Sequence, residues 1–242
     1  MKTKFKLTPG RIVTIVLWIA GIAFLIWRTG WYNEYVANLP EWVIENDVVK
    51  EYNGNSEHVV IGHGNEEIGP NAFNGHYEIK TVDIPNSVTS IGRGAFYECT
   101  GLESVSLPVS LKEIGSGAFR NAESLGHVEF PEGIVTIHQV AFSGCKKLTF
   151  DSLPESLECI GASAFKDCDS LETVEIPQGV RLIEDWTFGN CEILTDVYIP
   201  DTVEMIEEFA FENSHNVVIH CSPGSEAERF AKEAGLPIVY DF

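Results

Sequence analysis

The side chains able to do chemistry in this 242-residue chain are six cysteines, seven histidines and 36 carboxylates. Zinc would ask for paired cysteines, but no Cys-x₂-Cys occurs, and His220-Cys221, as neighbours on a strand, point to opposite faces. No Asp-x-Asp-x-Asp-Gly loop offers calcium a ring of oxygens, so the dispersed acids read as a solvated surface. His58, His63, His76, His127, His138, His215 and His220 are scattered, and no serine or cysteine recurs beside one as a nucleophile would. Gly-x-Ser-x-Gly, His-Glu-x-x-His, phosphate-loop and dinucleotide fingerprints are absent. The residues therefore predict no catalytic group, no cofactor and no metal.

Positioning elements emerge from a strict internal period. Phe73, Phe96, Phe119, Phe142, Phe165, Phe188 and Phe211 are each 23 residues apart. Five places before each stands isoleucine (Ile68, Ile91, Ile114, Ile137, Ile160, Ile183, Ile206), and twelve places after each stands proline, from Pro85 to Pro223. A unit this short has too few apolar residues to close its own core and must stack on its neighbours. Within a unit, Val105 and Leu107 alternate as a half-buried strand would, and Pro108, without an N–H, ends it. Gly92-x-Gly94 and Gly115-x-Gly117 suggest a phosphate loop in isolation, but they recur as the corner of the repeat. Cys99, Cys145, Cys168 and Cys191 all fall three after the repeat phenylalanine, where other units place His76, Ala122 and Ser214. They read as copies of one small, buried packing position with free thiols, since side chains stacked in parallel suit a disulfide torsion poorly. His138, Glu184 and Glu207 replace the corner glycine, so positive φ is not expected there in every coil.

Charge divides the chain. Lys plus Arg number 16 against 36 Asp plus Glu, net −20, which argues against a surface built for nucleic-acid phosphates. Five of the cations (Lys2, Lys4, Lys6, Arg11, Arg28) lie in the first 28 residues, where no acid occurs, so the remainder carries net −25. Between the cations, Ile12–Trp27 is 16 residues without charge. As a helix it spans about 24 Å, and Arg11, Arg28, Trp27 and Trp31 can extend its reach into the headgroups. The segment reads as an uncleaved membrane anchor, a cleaved signal peptide being the alternative. The cationic flank places the N-terminus in the cytoplasm and the remainder outside, a single-pass membrane protein with its C-terminal part extracellular.

The phrases Leu-x-x-Val-x-Leu/Ile-Pro and Ile-Gly-x-x-Ala-Phe-x-x-Cys, with the strict period, resemble the BspA-type leucine-rich repeats of bacterial surface proteins over about residues 42–242. The resemblance implies an α/β repeat solenoid of short parallel strands, one per 23-residue coil, here preceded by a single N-terminal transmembrane helix. It divides the chain into an anchor at 1–32, a linker and hairpin cap at 33–62, seven repeats at 63–223 and a helix-and-strand cap at 224–242. The opening hairpin is expected at Trp42–Gly54, and Pro223–Gly235 reads as a helix stopped by Gly235 before a last strand. The fourth repeat departs: Asp151 stands where other strands place valine, and Phe150 comes one place early. Either a bulge turns Phe150 inward, or Asp151 is partly buried.

Residues eight and ten after each phenylalanine would face outward in two columns, one with Thr81, Ser104, His127, Phe150, Thr173 and Asp196, the other with Asp83, Ser106, Glu129, Ser152, Glu175 and Tyr198. Solenoids commonly bind partners on such a platform, although ordinary solvent-facing strands look the same. His127, Phe150 and Tyr198 are the candidate anchors, with Asp83, Glu129 and Glu175 as polar contacts. The resemblance implies a surface protein that binds a protein or host-matrix partner in the manner of an adhesin. The alternative is a non-catalytic envelope scaffold or spacer.

Overall fold

Two short parallel strands, rather than the one expected, build each coil of the β-solenoid of about eight turns that starts at Trp42. The structure, a computed structural model, describes residues 41–241. The apolar segment 12–27 and its expected transmembrane helix lie outside the described residues, among which no helix is long and apolar enough to cross a membrane. One line of strands comprises a three-stranded sheet of His58–Val60, Thr81–Asp83 and Ser104–Ser106, an isolated His127 to Thr149 bridge, and a four-stranded sheet of Thr173–Glu175, Asp196–Tyr198, Val218–His220 and Ile238–Val239. The other carries the recurring isoleucine: Glu67–Ile68, Ser90–Ile91, Glu113–Ile114, Thr136–Ile137 and Cys159–Ile160 pair in sequence, and Leu182–Ile183 pairs with Met205–Ile206. Strands of two residues are too short to show alternation, which is why the sequence reads this segment as a corner.

The glycine after that isoleucine serves close approach rather than left-handed backbone. A Cβ on Gly92 would lie 2.8 Å from the Ile68 carbonyl oxygen, and one on Gly115 would lie 2.7 Å from that of Ile91. Positive φ falls instead two places before and two places after the phenylalanine. Asn71, Gly94, Gly117, Val140, Ser163 and Trp186 hold the first place, at φ between 52° and 63°; Asn121, Asp167, Asn190 and Asn213 are among those holding the second. Val140 is the costliest of these, because a β-branched side chain crowds the left-handed backbone.

The core is a set of ladders. The seven phenylalanine rings stack face to face, with centroids 4.8–5.7 Å apart and planes within 14° of parallel. Each is buried. The stack replaces a globular core with apolar area shared between successive coils, so a coil is stable only with its neighbours in place.

In the fourth coil Thr149 pairs with His127 at a spacing of 22, one short of the repeat, so Phe150 drops into the inward slot where other coils place valine. Its ring lies 5.5 Å from Phe130 and 5.6 Å from Phe165. Asp151 is exposed and Leu153 returns to the core, with Ser152 as the extra residue. A one-residue slip exchanges the two faces of a strand, and burying a phenylalanine in place of an unpaired carboxylate decides its direction. The bulge is therefore the arrangement found. Phe150 is corrected from outward anchor to core residue.

Both ends are closed. Trp42–Glu45 and Val48–Tyr52 form an antiparallel hairpin whose turn residues Asn46 and Asp47 sit at φ 51° and 62°, the backbone a two-residue hairpin loop requires. Tyr52 extends the aromatic ladder, 5.3 Å from Phe73. At the far end the helix Glu226–Ala234 starts on Ser225, whose side chain accepts from the Glu228 N–H, and stops at left-handed Gly235. Its Phe230 covers Phe211 at 5.8 Å.

Candidate functional site

The strand ladder presents an outward face, and on its N-terminal half Asp83, Ser104, Ser106, His127 and Glu129 line an open groove of about 520 Å³. Its apolar lining is Val105, Leu107, Val109, Phe130 and Pro131, and no Lys or Arg contributes. The polar residues stand here because they occupy places eight and ten of coils one to three, projecting from the same side of a parallel sheet in register. Exposed His58 approaches Asp83 at 3.5 Å, and His127 shares a long 3.4 Å hydrogen bond with the Thr149 hydroxyl. These exposed contacts are weak and leave the groove's carboxylates free to pair with a ligand.

The other candidates lie apart from this groove. Glu175 and Tyr198 are cross-strand partners on the C-terminal half. Tyr198 is half-buried, its ring stacked on His220 at 4.1 Å, so it is a built-in platform rather than a projecting anchor. Phe150 lies beneath the face, between the two halves.

Sequence reading misses the cluster that closes the ladder. His220 accepts the place opposite Tyr198 because the seventh coil slips by one, as the fourth does: Ile219 pairs with Val197 at a spacing of 22. The slip puts Ile219 and Cys221 inward and turns His220 to the outer face, where Nε2 meets Asp196 Oδ1 at 2.9 Å and Nδ1 meets Asp241 Oδ2 at 2.6 Å. Carboxylates on both nitrogens require both to carry hydrogen, so this is an imidazolium, with no lone pair left for a metal or for general-base work. Partial burial opposes the charge, but the hydrogen bonds to Asp241 and Asp196 outweigh it and raise the His220 pKa. The Thr195 hydroxyl, followed by His220, lowers that of Asp196. An early apolar residue, Ile219 here and Phe150 in the fourth coil, is the signal that would have found it.

The buried cysteines have a role beyond packing. Cys99, Cys145, Cys168 and Cys191 each direct Sγ at the carbonyl of the phenylalanine one coil back, at 3.0, 3.1, 3.4 and 3.3 Å, and Ser214 does the same at 2.7 Å. Burial pushes the Cys99 and Cys191 thiols up to about 12 and raises Cys145 and Cys168 as well, which keeps the S–H donors protonated. All are free thiols.

The BspA-type leucine-rich repeat region, in six copies, matches residues 66–195 and 112–226. The chain belongs to that family. Its coil geometry also matches solved structures. A T. pallidum leucine-rich repeat protein is 27% identical, with a TM-score of 0.63 over 82% of this chain and 94% of that one. A leucine-rich repeat protein from Bacteroides ovatus (21% identity, TM-score 0.54) matches over 76% of this chain, and the pneumococcal vaccine antigen PcpA (16%, 0.52) over 83%. The matches span 62% and 46% of those two longer chains, and at these identities they show the fold alone. No curated protein matches. BspA-type repeats are binding scaffolds, and that membership directs attention to the strand face rather than to a catalytic pocket.

Proposed function

We propose that this BspA-type repeat protein is a non-catalytic scaffold that binds an extended, basic segment of a protein partner along its strand face. The observation that carries this reading is the groove at Asp83, Ser104, Ser106, His127 and Glu129: two carboxylates on an apolar floor with no cation among its lining residues. Charge complementarity steers a basic segment to a body of net −25, while Leu107, Phe130 and Pro131 supply the apolar contact that holds it. On this reading the partner is an extracellular protein, the 12–27 segment anchors the chain in the membrane, and the repeats act outside as an adhesin does. The uncharged 16-residue run behind four cations supports the anchor.

The test immobilises the full chain and captures proteins from an extracellular-matrix extract, comparing wild type with D83N/H127A/E129Q and with E155Q/E158Q, which changes exposed acids outside the groove lining. Partners should be lost with the first variant, kept with the second and weakened as salt rises. Capture that ignores the groove variant sinks the reading and favours a spacer without a ligand.

A further inference from the structure

The opposite corner of the coil carries a site of a different kind. At the place three before each phenylalanine, the backbone N–H projects where the next coil begins its corner. In the fifth coil the Ala162 N–H donates to Glu184 Oε2 at 3.0 Å, and in the sixth the Asp185 N–H donates to Glu207 Oε2 at 2.6 Å. Each acceptor stands 22 residues on, at the corner position. In the first coil the donor does not exist, because the residue is Pro70. In the second and third coils the donors are Arg93 and Ser116, and the residues 22 on are Gly115, without a side chain, and His138, whose ring turns towards Glu113 at 3.8 Å. Among the described residues neither N–H has an acceptor, and the same is true of Gln139 in the fourth coil, with Gly161 22 residues on, and of Glu208 in the seventh.

These two coils also hold an unusual charge. Among the described residues five of the eleven cations pair with carboxylates, two of the four arginines among them: Lys80 with Glu57, Lys146 with Glu123, Arg181 with Glu204, Arg229 with Glu226, Lys232 with Glu228. The guanidiniums of Arg93 and Arg120 have no carboxylate partner among the described residues; Arg120 lies over the Tyr97 ring at 5.8 Å. Both arginines line a pocket of about 260 Å³ together with Asn71, Asn74, Tyr97 and Ser116. Glu98, the acid next to Tyr97, is engaged by the Tyr97 hydroxyl. The fold thus shows, two coils away, how it holds a carboxylate at this corner. Here it omits the carboxylate and adds two unpaired guanidiniums, which bind carboxylates as planar forks.

We propose that the Arg93–Arg120 pocket binds the carboxylate of a small sugar acid, which takes the place that Glu184 and Glu207 fill in the C-terminal coils. Arg93 and Arg120 hold the charge, the Arg93 and Ser116 N–H groups donate to its oxygens as they would to a glutamate side chain, and the amides of Asn71 and Asn74 with the Ser116 hydroxyl meet ring hydroxyls. The volume suits one ring rather than a chain. This site is separate from the strand-face groove and does not depend on that reading.

Isothermal titration calorimetry on the full chain, with glucuronate as probe and glucose as the same ring lacking the carboxylate, decides it. Glucuronate should bind saturably in the millimolar range and at least tenfold tighter than glucose. R93A/R120A should weaken it at least tenfold. His138→Glu should do the same by supplying the internal carboxylate, whereas Gln139→Glu, the same charge one residue away, should change it less than about twofold. Matching thermal melts establish that the variants are folded. Glucuronate no tighter than glucose, or wild-type affinity in either R93A/R120A or H138E, or equal loss in H138E and Q139E, overturns the proposal.

Discussion

Replacing Phe150 by alanine tests the register slip on which the strand face depends. In regular register Phe150 would project from the outer column, and its truncation would change stability by less than about 0.5 kcal/mol, as for most surface positions. In the slipped register it is 9% exposed and touches the rings of Phe130 and Phe165 at 5.5 and 5.6 Å. A buried Phe→Ala change costs about 3–5 kcal/mol, and the site's residual exposure places this one near 3. For a folded unit of this size each kcal/mol moves Tm by about 2–4 °C, so the melt should fall by about 6–12 °C. Phe150→Leu keeps most of the apolar burial but loses two aromatic pairs worth about 0.5–1.5 kcal/mol each, and should fall in between. Asp151→Ala, at the exposed place, should be near neutral. Thermal unfolding and urea titration of the full chain measure all three. A Phe150→Ala variant that melts within 2 °C of wild type, on the order of half a kcal/mol, would refute the slip and return Phe150 to the binding face.

Two further outcomes follow from the closing cluster and the cysteine column. The folded pKa of His220 is raised, so its stabilisation is complete below its unfolded value of about 6.5 and is lost as pH rises through the folded one. That of Asp196 is lowered, so its share is present above about 3.9 and lost as pH falls through its folded value. The Ile238–Val239 strand should be held best between about pH 4 and 6.5, with exchange of the Ile219 and Cys221 amides, which donate to the Pro237 and Val239 carbonyls, accelerating above that window in wild type but not in His220→Gln. Among the thiols, exposed Cys159 should react at once with a thiol reagent, while Cys99, Cys145, Cys168 and Cys191 should wait for unfolding; prompt modification of more than one thiol would contradict the burial. Cys145→Ser should be nearly neutral, because Ser214 already performs the same donation, and Cys145→Ala should cost about 1 kcal/mol.

The period made the solenoid legible because every coil buries the same residues: a phenylalanine, an isoleucine and an aliphatic place that never shift by even one position in sequence. What the period concealed were departures that preserve it. Phe150 and Ile219 keep their coils at 23 residues overall while sliding two strands by one, and only the appearance of an apolar residue one place early betrays the slide. The first cost a candidate anchor, and the second hid His220 among residues expected to alternate. The second strand ladder was equally invisible, since two residues cannot display a period of two. Asp241 was beyond reach for another reason: its partner His220 lies 21 residues back, joined to it only once the last strand is laid against the ladder.

A repeat protein supplies its own controls, because each position can be compared with its counterparts one coil away. A place filled by the same chemistry in most coils serves the stack, as the Sγ and Oγ donors to the phenylalanine carbonyls do in five of the seven. A place filled in some coils and left open in others is different. The corner N–H is removed by Pro70, satisfied by Glu184 and Glu207, and left without an acceptor at Arg93, Ser116, Gln139 and Glu208 among the described residues, so the stack itself does not require an acceptor there. Two of these open corners, at Arg93 and Ser116, line one pocket with the Arg93 and Arg120 guanidiniums, in a protein where acids outnumber bases 36 to 16. Arg181 and Arg229, the other described arginines, have carboxylate partners, and Arg93 and Arg120 have none among the described residues. Their isolation beside an unfilled carboxylate position makes this corner the part of the molecule where a ligand supplies what the sequence leaves out.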